Sequence, residues 1–374
     1  MKIKPFRLER YFAAHEFGVE HLLSASDCES LSLKDLLSLA DADALALWHD
    51  LGLGYTETQG HPLLRQEVSM LYNEIKRDDI LVAAPEECIF IAMHALLREG
   101  DRVIVLSPAY QSLFEVPVAL GCQVTAWPLR VEGNSWHLDT EFLRSHITPA
   151  TRLVVINFPH NPTGLLPQAH ELHEIVKIAR EHGAYLFSDE MYWLLEYDEK
   201  MRLPAICDIY EKGISLFGMS KTFSLPGLRI GWLATQDRTI LEQCCVLKDY
   251  TTICCSAPSE ILAVMALRAR EVIRRRNVSI IQHNLEAADR FFADHAEQFL
   301  WLRPQAGSVA FPELLLDVPV DRFCKRLREE RSVLLVDGGL FEHPGRHFRL
   351  GLGRKDMPEA LERVREYMAG SGLS

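Results

Sequence analysis

Four short apolar runs in the middle of the chain constrain its fold more than any other feature. They are DRVIVLSP (101–108), TRLVVINFP (151–159), AYLFSDE (184–190) and ISLFGMSK (214–221), each reading as a buried strand that ends in small or polar residues. Between them lie amphipathic stretches such as QAHELHEIVKIAREHG (168–183), with apolar residues at helical spacing and a glycine stop. Alternating strand–helix units of this kind predict a mostly parallel sheet covered by helices on both faces. In such sheets ligands bind at the carboxyl ends of the strands, where the polar residues stand here.

At 374 residues the chain exceeds one ordinary core, which predicts two domains. From about Pro258 to His295 the pattern predicts one long helix. A smaller α+β segment follows, containing HFRLGLG (347–353) and a C-terminal amphipathic helix. The first 45 or so residues lack the strand–helix rhythm and are expected to pack with that segment. The expected boundaries are an N-terminal arm and part of the small domain at 1–45, a large cofactor-binding domain at 46–265 and a small C-terminal domain at 266–374.

A formal net charge of −12 argues against a nucleic-acid partner, and the basic run Arg274–Arg276 reads as a solvated helix face. The nine cysteines include no C-x-x-C pair, so no metal site is expected; free, mostly buried thiols in a reducing compartment are. The N-terminus MKIKPFRLERYF has no apolar signal region, and no stretch of about 18 residues is uniformly apolar. The expectation is a cytoplasmic protein with no membrane partner.

The chemistry concentrates in SKTFSLPGLRIGW (220–232). A lysine at a strand end, among small residues, can lose solvation and become a nucleophilic amine. Arg229 offers a bidentate fork for a phosphate, and Gly227 and Gly231 permit close backbone approach. The whole string resembles the pyridoxal-phosphate attachment signature of the class I/II aminotransferases, S-K-x-[FY]-x-[LM]-x-G-x-R-[IL]-G, at every defined position. The resemblance covers residues 50–355 and implies a three-layer αβα fold of type I, with pyridoxal 5'-phosphate held covalently on Lys221.

Other strings match the same family. In NFPHNPTG (157–164), Asn161 corresponds to the residue that bonds the phenolic oxygen of the cofactor and borders the substrate. In SDEMYW (188–193), Asp189 corresponds to the partner of the ring nitrogen and Tyr192 to a donor to the phenolic oxygen. A buried carboxylate there keeps the nitrogen protonated and the ring electron-accepting. Tyr110 in SPAY would stack on the ring, Arg349 would clamp the substrate α-carboxylate, and Tyr55 in GYTETQGHPLLRQEV (54–68) would reach a neighbouring subunit's phosphate, implying a homodimer.

Three departures stand out. The family's phosphate loop reads G-[AST]-x-[EQ]-A, whereas this chain has AAPEEC (83–88), putting Pro85 without an N–H and Glu86 with a negative charge beside a phosphate. Gly218 replaces a phosphate-binding serine, which leaves the phosphate to Arg229, Ser220 and Tyr55. SASDCES (24–30) lacks the glycine that borders the substrate and offers Asp27 and Glu29 instead.

The strings AYQSL, AWPLRVEGN, TRLVVINFPHNPTG and LKDYTT most resemble the capreomycidine-synthase-like branch, which cyclises arginine derivatives. The leading expectation is an aminotransferase that moves the α-amino group of an L-amino acid to a keto acid. The alternative is an elimination, replacement or cyclisation enzyme using the same residues. A third reading, a regulator that keeps the fold as an effector domain, lacks room for a winged helix in the first 45 or so residues. No arginine occurs in LKDYTTICCSAPSE (247–260) to grip a second carboxylate. Asp27 and Glu29 would then favour a cationic side chain, unless both face solvent and an aromatic pocket selects bulky neutral ones.

Overall fold

A computed structural model describes residues 2–371. Each of the four apolar runs forms a strand, and the division of its side chains explains the composition. Val103, Val105, Leu153 and Val155 enter one core cluster, while Ile104, Leu106, Val154 and Ile156 enter another on the opposite face. Strands buried on both sides cannot alternate polar with apolar residues.

The strands are β1 (Ile80–Ala83), β2 (Arg102–Ser107), β3 (Gln123–Pro128), β4 (Thr151–Asn157), β5 (Tyr185–Asp189), β6 (Gly213–Gly218) and β7 (Gly231–Ala234). They form a seven-stranded sheet in the order β1-β7-β6-β5-β4-β2-β3. Neighbours from β6 to β3 run parallel, and β7 is antiparallel to both β6 and β1. The helix expected at 168–183 spans Ala169–His182; Gln168 N donates to Glu171 at its start, and Gly183 ends it at φ 69°. This is the three-layer αβα architecture.

A second, three-stranded sheet sets Phe348–Gly351 between Val309–Ala310 and Val336–Asp337. Residues 21–29 lace against it: Gly351 N donates to Leu23 O at 2.7 Å and Glu29 N to Gly353 O at 2.8 Å. The first helix, α1 (Arg7–His15), touches both sheets' surroundings. Arg7 N donates to Gln111 Oε1 at 2.9 Å, and Tyr11 Oη donates to Leu335 O at 2.9 Å.

Two expectations are corrected. The long helix over Pro258–His295 is two helices, Ala257–Arg268 and Arg270–Asp294, parted at Ala269 (φ −91°, ψ 11°). The run Arg274–Arg276 is not simply a solvated face. Arg274 is buried and pairs with Glu199 and Glu271, and Arg276 donates to Glu29 O at 2.8 Å. The nine cysteines carry no disulfide. Among the described residues no helix is long and apolar enough to cross a membrane.

The departures Pro85 and Gly218 belong to one packing unit. Gly218 and Gly231 are register partners on β6 and β7. A Cβ on Gly218 would stand 2.7 Å from Gly231 Cα and 2.9 Å from Ile230 O; one on Gly231 would stand 2.9 Å from Pro85 Cγ. Pro85 opens the helix Pro85–Leu96, where a missing N–H costs nothing because first-turn amides have no intrahelical partner. The obstruction at Gly218 is backbone, so Gly218→Ala is expected to destabilise the fold by about 1–3 kcal/mol. A thermal melt of the purified variant checks this, and an unchanged midpoint would show that the strands part freely there.

Candidate active site

The carboxyl edge of the parallel strands and the central strand of the small sheet converge on one cavity of about 600 Å³. Lys221 enters it from the loop joining the antiparallel pair β6 and β7. Met219 N donates to Ile230 O at 2.9 Å and Leu225 N to Met219 O at 3.0 Å, pinching that loop. Lys221 Nζ donates to Ser26 Oγ at 2.8 Å. Burial lowers the pKa of its ammonium group, against the pull of the Asp27 carboxylate.

Asp189 ends β5 and lies in register with Asn157 at the end of β4. Its carboxylate is buried, and among the described residues the one donor to it is Met191 N, at 3.1 Å. Burial pushes its pKa up to about 6, offset in part by that amide and by Lys221. Asn161 is fixed from the same strand ends, its N–H donating to Asn157 Oδ1 at 2.8 Å. Tyr192, in the turn after β5, is buried, which raises its phenol pKa.

Arg349 is 1% exposed. Its Nε donates to Ser24 O at 3.1 Å and its Nη1 to Asn161 Oδ1 at 3.4 Å, while the Phe12 and Phe341 rings lie 5.6 and 5.3 Å from the guanidinium carbon. Among the described residues no carboxylate pairs with it. A buried cation left in this state is costly unless an anion arrives.

Tyr110 packs one side of its ring on Phe6, centroids 4.9 Å apart, and donates its hydroxyl to Glu9 Oε1 at 2.7 Å. The Ser220 hydroxyl is buried with no partner. Arg229 also lines the cavity, exposed and at φ 55°, with Nη1 donating to Pro226 O at 2.9 Å. Glu86 accepts from Ser112 Oγ at 3.2 Å, and burial pushes its carboxyl up to about 7.

Two of the named residues do not line this cavity, one of them, Tyr55, expected to serve a neighbouring subunit instead. Tyr55 is 91% exposed and stands away from this cavity. Glu29 also lies outside, its Oε2 accepting from Lys355 N at 3.2 Å, which corrects the expectation of an acid pair facing the substrate. Asp27 does line the cavity, but Arg354 pairs with it at 2.9 Å. A Cβ on Gly227 would meet nothing within 4 Å, so of the two only Gly231 needs to be a glycine for close approach.

The motifs missed the cavity's outer wall. Phe6, Glu9, Phe12 and Glu16 come from α1 and its flanks, joined by Ser26 and Arg354. The available signal was the seven-residue spacing of Glu9 and Glu16, which puts two carboxylates on one helical face. Among the described residues no group of three or more His, Cys, Asp or Glu could hold a metal ion.

The sequence model of the family "Aminotransferase class I and II" matches residues 22–364. This chain is a class I/II aminotransferase-family protein. It is similar to capreomycidine synthase of Streptomyces vinaceus, 30% identical over 283 residues, 75% of this chain and 72% of that one. A pyridoxal-phosphate-dependent aminotransferase from Streptococcus suis superposes with TM-score 0.92 at 33% identity, covering 99% of each chain. The pyridoxal-phosphate-dependent cyclase OrfR superposes with TM-score 0.90 at 28% identity, covering 99% of this chain and 98% of that one.

The cofactor of this aminotransferase-family protein is pyridoxal phosphate, and the cavity's chemistry fits it. A Ser220 hydroxyl unpartnered among the described residues, lining the same cavity as the helix start at Pro85, suits an anion. A buried Asp189 with no ion pair among the described residues suits a protonated ring nitrogen, and a desolvated lysine suits an aldehyde.

Proposed function

We propose that the protein is an aminotransferase for an L-amino acid, with Lys221 as cofactor anchor and proton carrier. The observation that carries this reading is the ion-unpaired, buried Arg349 in the same cavity as Lys221 and Asp189. When bound, pyridoxal phosphate supplies an electron sink conjugated to the substrate Cα.

The chain's residues hold and use that group as follows. Asp189 would keep a proton on the ring nitrogen. Asn161 and Tyr192 would donate to the phenolic oxygen, and Tyr110 would cover a ring face. Ser220, Arg229 and the first-turn amides of Pro85–Leu96 would hold the phosphate. Glu86, raised by burial, can serve there as a neutral donor instead of a repelling charge. Arg349 would take the α-carboxylate and hold the Cα–H bond within reach of the Lys221 amine, which would take up and move that proton.

Tyr55 is read as serving the partner's phosphate in a homodimer; its exposed ring is consistent with that role. Sedimentation showing a monomer under assay conditions would remove this part of the reading.

A second reading, cyclisation or elimination, is favoured by the likeness to capreomycidine synthase and OrfR. Products separate the two. With a reactive amino acid and excess pyruvate, an aminotransferase makes one alanine for each keto acid formed. Consumption of the amino acid without alanine would reject transamination in favour of the second reading.

A further inference from the structure

Matching each carboxylate in the cavity to a partner or a role leaves one over. Asp27 is taken by Arg354 at 2.9 Å, Glu86 by Ser112, and Glu9 by the Tyr110 hydroxyl at 2.7 Å, while Asp189 accepts from Met191 N and is assigned to the ring nitrogen in the reading above. The Glu16 carboxylate lines the cavity and makes no hydrogen bond or ion pair among the described residues. Burial, with Asp27 and Glu9 nearby, disfavours its charge and raises its pKa, offset in part by the charges of Arg354 and Lys221, neither of which pairs with it. On the basic side nothing is left for a second substrate carboxylate, because Arg349 and Arg229 are committed in the reading above and Arg354 is paired. The unpartnered Ser220 hydroxyl and ion-unpaired Arg349 independently mark the cavity as a place for a ligand.

We propose that Glu16 selects amino acids whose side chain ends in a cation, a guanidinium or ammonium group. The inference rests on the cavity being an α-amino-acid site, as proposed above, and adds the class of side chain. Phe12, one helical turn before Glu16, lines the same cavity and offers an apolar surface to the methylene stem that carries such a group. A half-buried carboxylate still discriminates by charge, and an acidic side chain would meet repulsion from Glu16 and Glu9.

The test uses the protein loaded with pyridoxal phosphate. L-arginine, L-citrulline and L-glutamate are titrated while the cofactor absorbance is followed, giving a half-saturation concentration and kcat/KM for each. Citrulline has the shape of arginine without its charge, so wild type alone reads charge recognition. The expected arginine preference over citrulline is ~10-fold or more, with glutamate weakest. Glu16→Gln is expected to collapse the arginine-to-citrulline ratio toward unity in both quantities. A wild-type ratio near unity, a ratio indifferent to Glu16→Gln, or a preference for glutamate would overturn the proposal. If no α-amino acid changes the absorbance, the amino-acid-site reading itself falls and this proposal with it. If neutral amino acids react but arginine does not, only this proposal falls.

Discussion

Lys221→Ala is expected to lower turnover by ~10⁴-fold or more, because one amine is asked both to anchor the cofactor and to move the Cα proton. No neighbour can replace it. The other cations lining the cavity are arginines, which stay protonated and cannot accept a proton. The purified variant should still bind pyridoxal phosphate through the phosphate and ring contacts, so loss of activity and loss of cofactor can be read separately by absorbance. Mixing it with an inactive Tyr55→Ala protein should recover part of the activity if each site borrows a tyrosine from its partner. Borohydride reduction of wild type that leaves the pyridoxyl group on any lysine but Lys221 would refute the assignment.

Asp189→Asn is expected to lower turnover by ~10²–10⁴-fold while leaving the cofactor-free protein as stable as before or more so. The two effects have opposite signs for one reason. In the cofactor-free chain the buried carboxylate is pushed up to about 6, above its ordinary value, because burial penalises its charge. The folded state therefore holds a proton that the unfolded state has already released, and stability falls as pH rises through that window. Asparagine removes the penalty. With cofactor bound, the same charge is needed beside the ring nitrogen, and asparagine cannot hold a proton there. Comparing thermal midpoints of cofactor-free wild type and variant above pH 6 checks the first half, and single-turnover absorbance checks the second. Near-normal turnover in the variant would show that this strand end does not face the ring nitrogen.

The strand ends were legible in the sequence because burial on both faces forces apolar composition and the reactive residues follow each strand directly. Lys221, Asp189, Asn161 and Arg349 accordingly meet in one cavity. The outer wall was not legible, since it depends on contacts between distant stretches. Glu9 meets Tyr110 across 101 positions, and Asp27 meets Arg354 across 327. No local pattern says that Asp27 is neutralised while Glu16 is not. The break at Ala269 was hidden for a different reason. It has neither proline nor glycine, and the apolar periodicity runs through it almost undisturbed.

The outer wall has a consequence for how such enzymes diversify. The groups around the cofactor are dispersed over the ends of β2, β4, β5 and β6, so altering the reaction means coordinated change at several distant places in the gene. Phe6, Glu9, Phe12 and Glu16 come from one short continuous stretch. On the Glu16 proposal, exchanging this one stretch would change the preference for a substrate side chain while the groups at the strand ends stay as they are. On that reading, chemistry and choice occupy separate lengths of the chain.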